Sequence, residues 1–222
     1  YMAFLDDLGK KTVLAAQEAL LLVSFLGEVT LALLSLLRRP RDLKLTATVS
    51  HLGQVGMRAM PIVGLISFLI GVVLVYQGAN QLKRFGAEVF TVDLLAVSVL
   101  REIGILLTAI VVAGRSGSAF TAQIGFMQLN QEIDAMRTMS LDPVRYLVLP
   151  RLIALMIALP LLGFFADIMA ILGGALMGNA LIGLTFSQFM YQFNMSIAPW
   201  TFWTGIMKAP FFAFIISLVG CF

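Results

Sequence analysis

The chain has 222 residues, 60% of them hydrophobic and 12% charged, with a mean hydropathy of +0.97 and a formal net charge of +3. A soluble domain carries about 25% charge and rarely an apolar run of the roughly 20 residues that a bilayer core requires, so the composition excludes the soluble class and points to an all-α integral membrane protein. One cysteine, Cys221, and one histidine, His51, exclude a disulfide framework and leave too few soft ligands for zinc; the basic residues are not interleaved with aromatics on a polar face, so nucleic acid is excluded and they act as topology signals.

Residues 1–37 hold no proline and place Lys10, Lys11, Gln17 and Glu18 ahead of a more apolar half. An interfacial helix is expected. Val13, Leu14, Ala16 and residues 20–22 could instead seed a true span, but Glu18 and Glu28 bracket only nine residues, too few to cross alone. The cluster Arg38, Arg39, Pro40, Arg41 and Lys44 ends this element, and a second polar stretch reaches Arg58. No small-residue cleavage site follows the apolar segment, so no cleavable signal peptide is expected. Two regions result: residues 1–58, an interfacial helix with a basic segment, and residues 59–222, the transmembrane domain.

The first clear span covers residues 60–76, extending as far as Leu82, with Gly64, Gly71 and Gly78 at a seven-residue period that lets another helix approach closely. A polar link, 81–93, leads to a second span over 94–114 that continues helically toward Gly125. A third runs from Val148 to Gly178, about 31 residues or roughly 46 Å at 1.5 Å per residue, with Pro150 and Pro160 predicting a kink and Gly173, Gly174 and Gly178 a tightly packed end. A fairly polar link, 179–199, precedes a fourth span over 200–222.

Between the second and third spans, Glu132, Asp134, Arg137, Asp142 and Arg145 cannot be solvated by hydrocarbon, so this stretch leaves the bilayer. Its spacing is helical: Leu129, Ile133 and Met136 fall on one face at i, i+4, i+7, and Asp134 pairs with Arg137 at i, i+3 on another. Asp142 is placed to cap a helix beginning at Pro143. Seven Lys and Arg lie in residues 1–58, two in 81–93, four in 115–151 and none in 179–199. Eleven against two put the N-terminus and the amphipathic helix in the cytoplasm by the positive-inside rule.

The two remaining basic residues, Arg101 and Lys208, lie inside predicted spans, as do Glu102 and Asp167. Glu102 and Lys208 each sit about eight residues from the non-cytoplasmic side, and charges in a membrane pair or face a wet cavity. Either they form an ion pair that only locks helices together, or they line a polar cavity where Arg101 or Lys208 meets an anionic headgroup. Asp167 pairs with another helix or caps a local irregularity. The stretch Gly114-Arg-Ser-Gly-Ser118 does not match the G-x-S-x-G nucleophile elbow, and there is no G-x-x-x-x-G-K-[ST] phosphate loop, so any ATP used is hydrolysed by a partner. An ion-coupled secondary transporter using Asp167 or Glu102 would leave the ordered amphipathic helix unexplained, and an intramembrane lipid enzyme would lack a catalytic His, Cys or metal cluster.

The run Ala113-Gly-Arg-Ser-Gly-Ser-Ala119, then Thr121-Ala-Gln-Ile-Gly125, Glu132-Ile-Asp-Ala-Met-Arg137, Asp142-Pro-Val-Arg-Tyr146 and Pro150-Arg151 resembles the MlaE (YrbE) permeases of MCE-type ABC lipid transporters, from about Leu52 onward. Arg101-Glu102-Ile-Gly104, the Gly173-Gly174 region and Lys208 fit the same pattern. The resemblance implies a homodimeric, multi-pass permease of the bacterial inner membrane that is itself non-catalytic, with ATP and Mg bound by two cytoplasmic ATPase subunits. It also implies a periplasmic ring of MCE-domain proteins, a STAS-domain protein on the ATPase, and glycerophospholipid as substrate, moved to maintain outer-membrane lipid asymmetry. Glu132, Asp134, Met136, Arg137 and Asp142 would belong to the coupling region, Glu102, Lys208 and Arg101 to the lipid pocket, with Leu74, Leu82 and Phe85 offered to acyl chains. A fifth span beyond Phe222 and a longer chain at both ends are expected on the same ground.

Overall fold

In hydrocarbon no water satisfies the backbone amides, so a spanning chain must bond them internally. The computed structural model, which describes residues 2–38 and 45–222, is helical throughout with no strand among those residues. Helix α1 (Met2–Arg38) is unbroken for 37 residues. Arg38 is its last residue, and Arg39, Pro40, Arg41 and Lys44 of the basic cluster lie outside the described residues. Five helical stretches are long and apolar enough to cross a bilayer: Lys10–Leu36, Leu45–Phe85, Glu88–Leu129, Val144–Ile182 and Trp200–Cys221. Four are the expected spans. The first lies in the helix expected at the interface, where Glu18 and Glu28 do not interrupt a single long helix; it joins the bundle only lightly, through buried Val29 and Ala32 and a Phe25–Phe222 ring contact at 5.9 Å.

Helix α2 (Leu45–Leu82) starts 15 residues before the expected boundary at residue 60 and passes residue 58 without a break. Thr48, Val55, Ala59 and Val63 supply a buried helical stripe through the stretch that reads as polar, so its polar residues occupy the opposite face of one helix. Two short 3₁₀ turns, Lys83–Phe85 and Glu88–Phe90, with Gly86 at φ 64° between them, reverse the chain. Helices α3 (Thr91–Ser98), α4 (Gly104–Val112) and α5 (Ser118–Leu129) then form one rod joined by widened π-type turns at Val99–Ile103 and Ala113–Gly117.

Helix α6 (Glu132–Thr138) is separated from α5 by Gln131, a non-glycine residue at φ 58°. The expected continuous face is therefore divided: Leu129 ends α5 and is 83% exposed, while Ile133 and Met136 are half-buried on α6. A third widened turn, Val144–Val148, feeds α7 (Leu149–Ile182), which passes through Pro160 without ending. The expected link 179–199 contains a helix, α8 (Phe186–Ser196), opened by a capping box between Thr185 and Gln188 and seated by buried Phe189 and Phe193. Helix α9 (Pro199–Cys221) closes the bundle.

Helix α7 is the centre. It runs parallel to α2, its most extensive partner, and also packs on α9 and α4. Lipid tails are as apolar as leucine, so helices associate through close packing and not through escape from water. A methyl group on Gly71 would overlap the Ala170 carbonyl, and one on Gly173 would overlap the Phe68 carbonyl, so the two backbones touch at those positions. Gly64 and Gly78, the other members of the seven-residue period, meet Phe165 of α7 and Thr91 of α3. Above and below this contact lie two apolar clusters, one around Leu152, Leu155 and Leu159, the other around Val75, Leu95 and Phe189.

Gly71→Val is expected to push α2 from α7 at a cost of about 1–3 kcal/mol, lowering the thermal midpoint of the detergent-purified protein. Gly56→Ala, where a methyl meets nothing within 4 Å inside the same helix, is the control and does not lower the midpoint.

Candidate functional site

The site is built on the widened turn Val99–Ile103. Its closing bond runs from the Gly104 amide to the Val99 carbonyl, five residues back, a geometry that shifts the side chains of Arg101 and Glu102 from the register of a regular helix. Helix α9 lies directly on this turn because residue 205 is glycine: a methyl there would overlap the Leu100 carbonyl. The approach brings Lys208 within reach. Its Nζ donates to the Arg101 carbonyl at 3.2 Å and sits 2.8 Å from Glu102 Oε1, which also has Arg101 Nε at 3.6 Å. Glu102 and Lys208, expected at equal depth on separate spans, thus pair directly within one chain.

Two cations share one carboxylate, so the triad carries one net positive charge. It is not enclosed by its own chain: the side chains of Arg101, Glu102 and Lys208 are 58%, 60% and 39% exposed. Along the rod, four residues before Glu102, Ser98 enters an open groove of about 250 Å³ lined also by Leu74, Gln77, Leu82, Leu94 and Leu95. Leu74 and Leu82, two of the three residues expected to meet acyl chains, line this groove. Phe85, on the 3₁₀ turn, is 83% exposed and is not part of the groove lining.

Asp167 does not join the triad. It is buried on α7 against the Gly104 backbone, where a methyl on Gly104 would overlap its carboxylate, and its Oδ1 has no hydrogen-bond partner among the described residues. On the same side as the groove, Asp93 Oδ1 accepts a bond from Gln192 Nε2 at 2.9 Å and another from the Ser196 hydroxyl, fastening α8 to α3. Those partners were hidden in an apparent link; the Thr185-x-x-Gln188 capping pattern is the signal that would have exposed α8.

At the opposite end, the expected Asp134–Arg137 pair forms at 4.0 Å on the exposed face of α6. Asp142 accepts the Val144 amide at 3.0 Å and pairs with Arg145 Nε at 3.3 Å, so it caps the helix starting at Pro143 as its position implied. Among the described residues Glu132 makes only a 3.4 Å contact, from Asn130 Nδ2. The Gly114–Ser118 stretch is occupied structurally: the Ser118 hydroxyl donates to the Gly114 carbonyl, and Arg115 Nη1 donates to the Arg58 carbonyl of α2. His51 stacks edge-on against Phe120 at 6.2 Å.

A family model described as permease MlaE matches residues 48–222. A probable ABC transporter permease protein of Rickettsia felis is 33% identical over 217 residues, 98% of this chain and 82% of that one. The intermembrane phospholipid transport system permease protein MlaE of Haemophilus influenzae is 34% identical over 176 residues, 78% of this chain and 67% of that one. The chloroplastic protein TRIGALACTOSYLDIACYLGLYCEROL 1 of Arabidopsis thaliana is 32% identical over 174 residues, 78% of this chain and 50% of that one.

Lys208→Glu sets two carboxylates at one point and Glu102→Lys sets three cations there, so each is expected to lower the yield of monodisperse protein in detergent. The exchanged pair, Glu102→Lys with Lys208→Glu, restores the attraction and recovers yield; size-exclusion chromatography of the three variants measures it.

Proposed function

Since the chain belongs to the MlaE permease family, we propose that it is the membrane-spanning subunit of an ABC-type transporter that moves glycerophospholipid between a bacterial inner membrane and a periplasmic carrier system of MCE-domain proteins, maintaining outer-membrane lipid asymmetry. The observation that carries the substrate class is the Arg101–Glu102–Lys208 triad beside an apolar groove. A net cation within a spanning segment, next to a groove lined by Leu74, Leu82, Leu94 and Leu95, has the two chemistries of a phospholipid: one for a phosphate, one for acyl chains.

A half-exposed triad facing hydrocarbon is costly, so a second copy of the chain is the natural cover, with the cavity between the two protomers. The N-terminus and α6 face the cytoplasm in this arrangement, in keeping with the excess of Lys and Arg on that side. There α6, with Glu132, Asp134, Met136, Arg137 and the adjoining Asp142, meets ATPase subunits that bind ATP and Mg; a STAS-domain protein contacts the ATPase. The chain itself performs no bond chemistry. Nucleotide-driven closure of the ATPases presses α6, tilts the rod and α7, and reshapes the lipid cavity.

Co-purification of an ATPase and ATP-dependent movement of fluorescent phospholipid in proteoliposomes test the assignment; substrate movement by the isolated chain under a pH gradient would refute it. Glu132→Ala and Arg137→Ala are expected to leave hydrolysis running while lipid movement falls. Lys208→Gln leaves Glu102 with Arg101 as partner, so assembly is retained while lipid transport drops about tenfold, the loss of one charge-assisted contact. Unchanged transport would remove Lys208 from the pocket.

A further inference from the structure

At the α6 end, most charged groups are already matched. Asp134 pairs with Arg137, Asp142 pairs with Arg145, and Arg115 donates to the Arg58 carbonyl. Arg58 and Arg115 have no anionic partner among the described residues, and two further charges, opposite in sign, face one cavity. Glu132 has no cationic partner among the described residues, and Arg151, on the first turn of α7, is only 4% exposed with its Nε and Nη1 unbonded among those residues. Its other contacts are with uncharged groups: Nη2 donates to Gln123 Oε1 at 3.2 Å, the guanidinium lies 5.3 Å from the Phe120 ring centroid, and the buried Cys221 thiol lies within reach of it. A buried guanidinium without a counter-anion is strongly disfavoured unless another state of the protein supplies one.

Glu132 and Arg151 line the same open cavity of about 400 Å³, whose other walls are Ala122, Gln123, Phe126 and Met127. Helix α6, which carries Glu132, hangs between Gln131 at φ 58° and Ser140 at φ 59°. Non-glycine residues in the left-handed region are uncommon and mark strained or switching positions. A seven-residue helix with such a residue at each end is poised to swing as a unit.

We propose that Arg151 is the seat of this lever: when α6 is pressed toward the bundle, Glu132 crosses the cavity and its carboxylate pairs with the Arg151 guanidinium. The movement is thereby delivered to α7, the helix against which α2, α4 and α9 are packed. Arg151 is a positioning residue in this role and touches neither lipid nor nucleotide. The proposal rests on α6 being the ATPase-facing element and adds to it the receiving group within the membrane subunit.

The test uses the permease–ATPase complex in proteoliposomes, reading phospholipid moved per ATP hydrolysed. Arg151→Gln and Glu132→Gln are each expected to cut that ratio about tenfold while hydrolysis continues, and the double variant is no worse than either, because both remove the same contact. Arg151→Lys keeps most of the ratio, and the exchanged pair, Glu132→Arg with Arg151→Glu, recovers it. Additive losses, or an unchanged ratio in Arg151→Gln, would overturn the proposal. Should Arg151 variants fail to fold, spin labels at Ala135→Cys and Ile157→Cys in a Cys221→Ser background leave both charges in place. The label distance shortens in the nucleotide-trapped complex, and an unchanged distance overturns the proposal. A complex that never forms discards the lever assignment itself, and the seat with it; a complex that forms and hydrolyses ATP with full coupling in Arg151→Gln discards only the seat.

Discussion

Helices in hydrocarbon are not driven together by water, so their association depends on how closely their backbones can approach. In this bundle that contact is between α2 and α7, where Gly71 and Gly173 each place bare backbone against a carbonyl of the other helix. Everything else is referred to α7. Helices α4 and α9 pack on its other faces, and α9 repeats the same device where Gly205 lies on the Leu100 carbonyl. A side chain at residue 205 would lift α9 from the widened turn and carry Lys208 away from Glu102.

The charged site is a consequence of that packing. The widened turn gives Arg101 and Glu102 a register that a regular helix would not, and a second donor, Lys208, arrives from α9 to satisfy the carboxylate and the Arg101 carbonyl together. One net positive charge remains, beside a groove of leucines. The buried Asp167 lies against the residue that closes the turn, Gly104, which makes α7 part of the support of the site as well as of the core.

The other end of the bundle follows a different economy. Its ion pairs are local, at i, i+3, and exposed, so each contributes little to stability. Glu132 and Arg151 stay without a partner of opposite charge among the described residues and line one cavity, beside a helix with a left-handed residue at each end.

The sequence by itself determined the membrane class, the four central spans, the topology signals, the Asp134–Arg137 pair, the Asp142 cap and the equal depth of Glu102 and Lys208, because apolar length, charge and helical spacing are local properties written residue by residue. Its Gly64, Gly71 and Gly78 period also announced a close helix contact, though not which helix would fill it. Only the tertiary structure decided that α2 begins at Leu45, that residues 186–196 form a helix seated on α3, and that Gln131 breaks the amphipathic face. It alone made Glu102 and Lys208 one pair and left Arg151 buried with no anionic partner among the described residues. Widened turns, left-handed glutamine and backbone contacts at Gly173 and Gly205 have no fixed signature in a single sequence, since each is imposed by a neighbouring helix that lies distant along the chain.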